Sequence, residues 1–446
     1  MISLFPLILV LLPIYWVYLN IVGLKRNIAA AKRSGLSYVI APINIYNPIW
    51  LITHRTWLPL IRKLPKSWTE SWIDFMTPDW CWELLYGPFA KHGDTFLIVS
   101  PGAVLGFVSN AEAIHQITSR RDAFPKPLAS YRILDIFGRN IVTTEGIEWR
   151  KHRKISSPSF TEKNNALVFA ESCLQAQGML KKWLGPEGRG NVTLKEVPTD
   201  TMRVTLHTIS RIGFGVRLLW PGEKPRDKEQ KSVYSSNEAS EGHTMSFERS
   251  LSTLLETMVW VLFLPKWLLK LMPFHSAHEA LESFENWGQY MNELFATKTK
   301  DAAEGKEGEE YHQAELRKVK STKSPFQIQN ILGNAFVMIV AGHETTANSI
   351  HFSLIELAIS PRSQRQVQVE VQKIFADESP ETWDYDTNIN NLLGGILGAT
   401  LNEQLRLMPP VVNIPKSVSQ GRDQTIIIDG KKITLPAGTH ILFSIL

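Results

Sequence analysis

The stretch AGHETTANS, Ala341 to Ser349, interrupts an apolar run, with NILGNAFVMIV before it and IHFSLIELAI after it. The run has the limits of a helix. Ser324 with Pro325 forms an N-cap and first-turn pair, and Pro361 blocks continuation after Ser360. A helix of about 35 residues rising ~1.5 Å each would be about 50 Å long and run through a whole domain. Polar residues at its centre therefore need a reason. Gly342 has no side chain and weakens the helix, so a ligand could approach its backbone closely. Thr345 lies one turn after Ala341 and can bond that residue's carbonyl, opening the ladder into a local groove. Glu344 beside it adds an ionisable carboxyl, which makes a proton-delivery pair if something in the groove must be protonated. A structural kink with satisfied polar groups explains any one of these residues equally well. HETTA also begins like a zinc motif whose second histidine stands four residues after the first. That position is Ala347, and the next histidine is His351, so the zinc reading fails.

Two further stretches carry chemistry. LNEQLRLMPPV places Glu403 and Arg406 three apart on a helix ended by Pro409, where they can meet on one face. The spacing alone is weak, because Glu223 and Arg226 share it in a loop that Pro225 keeps from being helical. EGIEWRKHRKISSPSF sets Trp149 and Arg153 one helical turn apart within a basic cluster. An arginine fork and an indole donor there could grip an acidic group of a flat cofactor. An ordinary solvated basic helix reads the same way.

The rest of the chain sets bounds. Its 446 residues, 44% hydrophobic, permit a sizeable core in one large domain or two ordinary ones. The 48 basic and 43 acidic residues are mixed along the chain, which argues against a nucleic-acid partner and leaves a membrane surface or an acidic protein. Two cysteines, Cys81 and Cys173, are too few for a disulfide framework or a zinc site and fit a reducing compartment. Met1 to Leu24 carries no charge and would span about 36 Å as a helix, enough to cross a bilayer. Lys25, Arg26, Lys32 and Arg33 all follow it, so the remainder would stay on the cytoplasmic side.

The expected organisation is an anchor over 1–24, a basic linker and membrane-interfacial segment over 25–90, and one domain over 91–446. Within that domain, DTFLIVSPGAVLGFVSN and TIIIDGKKITLP read as hairpins, and THILFSIL as a final strand without a closing element. ETMVWVLFLPKWLLKLMPF, with Lys266 and Lys270, could dip into a membrane surface, but the reading preferred is a buried core helix broken by Pro265.

Taken in chain order, the three motifs and the anchor resemble a microsomal cytochrome P450, the haem-thiolate monooxygenase family. AGHETT is similar to the family's oxygen-activating helix, EQLR to its Glu-x-x-Arg motif and WRKHR to its haem-propionate helix. The resemblance implies a mainly α fold with small β-sheets behind an N-terminal transmembrane helix, held single-pass in the endoplasmic reticulum membrane. It also implies insertion of one oxygen atom of O2 into a hydrophobic small molecule, with haem as cofactor and electrons from NADPH through NADPH-cytochrome P450 reductase.

Carried onto this sequence, Glu344 and Thr345 would guide protons, and Trp149, Arg153, Ala341 and Gly342 would contact haem. Glu403 and Arg406 would be buried structural partners, and Val411 and Val412 of PPVVN would touch substrate. The family's iron-binding cysteine follows the Glu-x-x-Arg helix in a Gly- and Arg-containing loop, whereas the last cysteine here is Cys173. The expectation is a chain cut short before that loop, without a metal ligand and inactive as written. The alternative is a non-catalytic, membrane-anchored fragment of the fold.

Overall fold

The computed structural model describes residues 4–78, 80–157, 160–185, 190, 192–223, 233–236, 238–303, 328–376 and 378–444; for 4–10, 233, 298–299, 301–303 and 328 this is the backbone alone. The Ser324–Pro325 cap lies outside the described residues. The chain divides into two compact units, one of residues 1–127 with 411–446, the other of residues 128–410.

The first unit is built on a five-stranded sheet. Its strands are β1 (Ser37–Ile40), β2 (Thr95–Val99), β3 (Val104–Val108), β4 (Asn413–Ser417) and β7 (His440–Ser444), in the order β1-β2-β3-β7-β4. β2 and β3 form the expected antiparallel hairpin, Thr95 opposite Val108. β5 (Gln424–Ile428) and β6 (Lys431–Leu435) form the other. Their turn places Asp429 at φ 50° and Gly430 at φ 73°, the two positive φ values of a type I′ two-residue hairpin turn. THILFSIL forms a strand, β7, as expected. It is an inner strand, parallel to β3 and antiparallel to β4. Its buried Ile441, Leu442 and Phe443 are covered on both faces, as a continuous apolar run in an inner strand requires.

The stretch 25–90 is not a linker. It supplies β1, the helix α2 (Pro48–Ile61) and, with Trp50, Ile73, Phe75, Trp80 and Phe89, much of the first core. α1 (Leu4–Ser34) continues past the expected anchor boundary. Its second half docks on the sheet: Ala31 packs with Leu97 and Val99, and Asn27 donates to the Ser100 carbonyl at 2.8 Å. Gly23 permits this approach, since a Cβ there would lie 2.5 Å from the Pro101 carbonyl oxygen. Leu11 to Leu19, Ile21 and Val22 are largely exposed. Among the described residues, however, no helix is long and apolar enough to cross a membrane, so the spanning anchor expected over 1–24 is not supported. A third helix, α3 (Ala111–Ser119), is capped by Asn110 and packs beside β5.

The second unit is helical: α4 (Gly146–Ser156), α5 (Glu162–Leu184), α6 (Val197–Phe214), α7 (Phe247–Glu256), α8 (Met258–Phe263), α9 (Lys266–Leu271), α10 (His275–Ala303), α11 (Ile328–Ile359), α12 (Pro361–Phe375), α13 (Tyr385–Gly394) and α14 (Ile396–Leu407). The 32 residues of α11 make a rod of about 48 Å. It ends at Ser360 and Pro361, as the sequence reading requires. α11 packs most extensively on α6. The shared core joins Phe336 and Ile339 of α11 to Leu206 of α6, Phe247 of α7, and Trp287 and Tyr290 of α10. Phe137 inserts among Phe284, Trp287 and Phe336 at ring distances of 4.7, 4.6 and 5.0 Å. Where a single buried helix broken by Pro265 was expected, the break is real but the burial is partial. α8 and α9 expose Val259, Trp267 and Leu271, while Leu269 is buried.

Candidate functional site

The register of α11 decides what its centre can do. Phe336, Ile339, His343 and Ala347 recur at helical spacing and are buried, which turns Ala341 and Glu344 outward and leaves Thr345 half-buried. Thr345 Oγ1 donates to the Ala341 carbonyl at 2.5 Å, the bond expected from sequence. The expected opening of the ladder is absent, because Ile328–Ile359 is helical without a break. A helical carbonyl oxygen has two lone pairs, so the hydroxyl adds a bond without displacing the backbone amide. Ser349 Oγ donates to the Thr345 carbonyl at 3.0 Å and Ser353 Oγ to that of Ser349 at 2.8 Å, extending the same stripe.

Gly342 serves packing. A Cβ there would lie 2.6 Å from Ile209 Cδ1, so the position expected to admit a ligand is filled by α6. Next to it, His343 Nε2 donates to the Met202 carbonyl at 3.1 Å. Burial pushes its pKa down, opposed by that backbone bond, so it stands as a neutral crosslink between α6 and α11.

On α4, Trp149, His152, Arg153 and Ser156 form one stripe, with His152 and Ser156 buried. The Arg153 guanidinium lies over the Trp149 indole, 5.7 Å from the ring centroid, and the arginine is otherwise exposed. His152 Nδ1 donates to Asn334 Oδ1 at 3.1 Å, and the same oxygen accepts the Ile141 amide at 2.9 Å. The fully buried Asn334 thereby ties α4 and the turn after Asn140 to α11. It stands three turns, about 16 Å, before Thr345. The WRKHR and AGHETT motifs are thus brought onto one scaffold.

Glu403 and Arg406 meet in a bidentate pair, with Arg406 Nε donating to Oε2 at 2.8 Å and an Arg406 terminal nitrogen to Oε1 at 2.7 Å. Arg406 draws the Glu403 pKa down through that hydrogen bond, with a smaller charge contribution. The expected burial is not found: the side chains are 55% and 66% exposed. α14 turns Gly398 and Gln404 inward, so the pair lies on its outer face, where each group satisfies the other. The N-terminus of α14 is held by Glu370 of α12, whose carboxylate accepts the Ile396 and Leu397 amides at 2.8 and 2.9 Å. Val411 and Val412 belong to the first unit. Val411 is exposed, and Val412 packs against that unit's core.

Sequence reasoning missed Asn334, His152 and His343. His343 could have been found, since it continues the apolar stripe of Phe336 and Ile339. Asn334 and His152 are 182 residues apart and carry no local signal.

Neither cysteine stands poised as a thiolate. Cys81 is buried in the first unit's core, where Asn413 Nδ2 donates to its sulfur at 3.3 Å. Cys173 is half-buried on α5, and burial pushes its pKa up. Among the described residues no group of three or more His, Cys, Asp or Glu could hold a metal ion.

Comparison with known proteins places these features. A family model described as cytochrome P450 matches residues 75–446. Cytochrome P450 monooxygenase ORF6 of Penicillium roqueforti is 29% identical over 442 residues, covering 92% of this chain and 70% of the relative. Cytochrome P450 monooxygenase 124 of Postia placenta is 31% identical over 378 residues, covering 81% and 67%. Human cytochrome P450 4Z1 is 24% identical over 352 residues, covering 78% and 65%.

Proposed function

The chain belongs to the cytochrome P450 family, a family of haem-dependent monooxygenases, and on that premise we propose that its haem face is the exposed side of α11 at Ala341, Glu344 and Thr345. The observation that carries this reading is the Thr345 hydroxyl bonded back to the Ala341 carbonyl beside the outward Glu344 carboxylate, on a helix whose opposite face is packed. Haem, when bound, supplies the oxygen chemistry. Thr345 holds a proton at Oγ1, and donating to Ala341 leaves its oxygen lone pairs free to accept a hydrogen bond. Glu344 is the adjacent group that can exchange a proton with solvent. Trp149 and Arg153 supply an indole donor and a guanidinium for acidic groups of the cofactor. Asn334 fixes the helix that carries them.

The fit is one-sided. Trp149 and Arg153 would hold acidic groups of the cofactor and Glu344 and Thr345 would serve proton delivery, but neither thiol suits a ligand to its iron. Cys173 is driven toward its protonated form, and Cys81 sits in an apolar core bonded to Asn413. This favours, as a second reading, a non-catalytic protein on the same scaffold, and we expect this chain to be inactive. For an active relative of this chain we assign NADPH-cytochrome P450 reductase as electron source and a hydrophobic small molecule as substrate. The exposed apolar stretch of α1 from Leu11 to Val22 would be the part that meets the endoplasmic reticulum membrane.

Haem titration of the full chain, followed by the Soret band before and after reduction under carbon monoxide, tests both readings. Haem binding that Arg153→Ala weakens, without a thiolate-type band, supports the assigned face and the inactive chain. A thiolate-type band would refute the argument from the cysteines. Binding indifferent to Arg153→Ala and Trp149→Phe would overturn the haem-face assignment.

A further inference from the structure

A cleft of about 480 Å³ lies between α5 and the segment after α6, and none of the residues assigned to the haem face lines it. We propose that it binds a phosphate monoester. One stripe of α5, with Gln177, Gly178, Lys181 and Lys182, forms one wall, and Arg217, Trp220 and Glu223 form the other. The floor is fixed. The Trp220 indole lies directly on Gly178, where a Cβ would be 2.2 Å from its Cδ1. Trp220 Nε1 donates to Gln175 Oε1 at 2.8 Å, and the same oxygen accepts from His207 Nδ1 at 3.0 Å. His207 and Gln175 are both buried, so the floor belongs to a satisfied polar network and holds its shape.

The rim has more donors than acceptors. Arg217 faces Glu223 at 3.7 Å, too far for a hydrogen bond, and its Nε is enclosed without a partner among the described residues. Gln177 Nε2 is likewise enclosed without a partner. Glu223 already accepts the Trp220 amide at 3.0 Å. Lys182 is matched by Asp200, and that carboxylate also accepts from Trp183 Nε1. With Lys182 matched and Arg217 opposite Glu223, Lys181 is the positive charge left over among the described residues.

Three donors of different type, two of them lacking acceptors among the described residues, call for a ligand that brings several acceptor oxygens and negative charge. A phosphate monoester carries three such oxygens and up to two charges. A carboxylate offers two oxygens and one charge, and a cation meets only Glu223. Seating the ligand requires Arg217 to swing from a carboxylate it barely holds, and the apolar part of the ester would lie along Leu174 and Pro221.

A phosphate ester can come from solution or from a lipid headgroup, and the test separates the two. The full chain is titrated calorimetrically with glycerol 3-phosphate at constant ionic strength. In a parallel arm it is sedimented with phosphatidylcholine vesicles with and without phosphatidate. Lys181→Glu should weaken binding about tenfold or more, because it replaces an attraction by a repulsion. Arg217→Lys should weaken it through loss of the planar fork, and Lys373→Glu on α12 should leave it unchanged. Binding of the soluble ester alone assigns a soluble ligand. Lys181-dependent sedimentation with phosphatidate vesicles assigns a headgroup. No binding in either arm, or equal affinity of the Lys181→Glu chain, overturns the proposal. Lys181 is exposed, so that variant decides even if Arg217→Lys fails to fold.

Discussion

Replacing Glu370 by alanine should loosen the N-terminus of α14. Its carboxylate accepts the Ile396 and Leu397 amides at 2.8 and 2.9 Å, two of the first-turn amides for which a helix has no internal acceptor. A hydrogen bond to a charged group contributes roughly 1.5–3 kcal/mol when shielded from water. The Ile396 bond is exposed and the Leu397 bond only part-buried, so water replaces much of what is lost. The expected cost is about 1–2 kcal/mol, the range of a helix cap with its favourable dipole contact. Gly395→Ala should reach the same end by another route, since its Cβ would lie 2.0 Å from Glu370 Oε1 and must push the carboxylate aside. The double variant should then cost less than the two singles together. Urea unfolding followed by far-UV circular dichroism gives the total, and hydrogen exchange at residues 396 and 397 gives the local effect. A change under about 0.3 kcal/mol, within the error of additivity, together with unchanged exchange, would refute the capping role.

Arg406→Ala should leave the unfolding midpoint unchanged within error, because an exposed pair contributes little; a large loss of folded protein would restore the buried-pair expectation. Stability should fall as pH drops through the ordinary histidine range near 6.5, because burial holds the folded-state pKa of His343, His92 and His440 below that value, so the unfolded chain takes up protons first. Thermal melts at pH 7.5 and 5.5 check this, and His343→Gln, which can still donate to Met202, should reduce the difference. Gly342→Ala should cost on the order of 1 kcal/mol, since the atom it meets is the flexible end of Ile209, and Ile209→Val should recover part of it in denaturant midpoints.

The parts of the structure legible in the sequence are those with local causes. Asp429-Gly430 marks its hairpin because that dipeptide readily takes the two positive φ values of a type I′ turn, and Pro361 ends α11 because it cannot continue it. Thr345 reaches Ala341 because both stand on one helix. What was misread depends on partners distant in sequence. Gly342 invites a ligand until Ile209 of α6 is placed against it. Glu403 and Arg406 can meet on any helix, but whether that face is covered depends on neighbours that spacing cannot name. The α1 boundary was set by where charges begin, while the helix itself runs on because Asn27 and Ala31 have a sheet to dock on.

The position of β7 bears on how the protein is made. It pairs with β3 on one side and β4 on the other, so the sheet joins residues 104–108 to residues 413–444. A ribosome adding about 5–20 residues per second needs on the order of 15–60 seconds to travel from one to the other. During that interval the β2–β3 hairpin has emerged with one edge unpaired, while residues 128–410, contiguous in sequence, can already collapse around α11. Closing so long a loop is slow, and the waiting edge is an invitation to the wrong strand. Translation speed and chaperone supply should therefore govern the yield of this protein more than the stability of its finished fold.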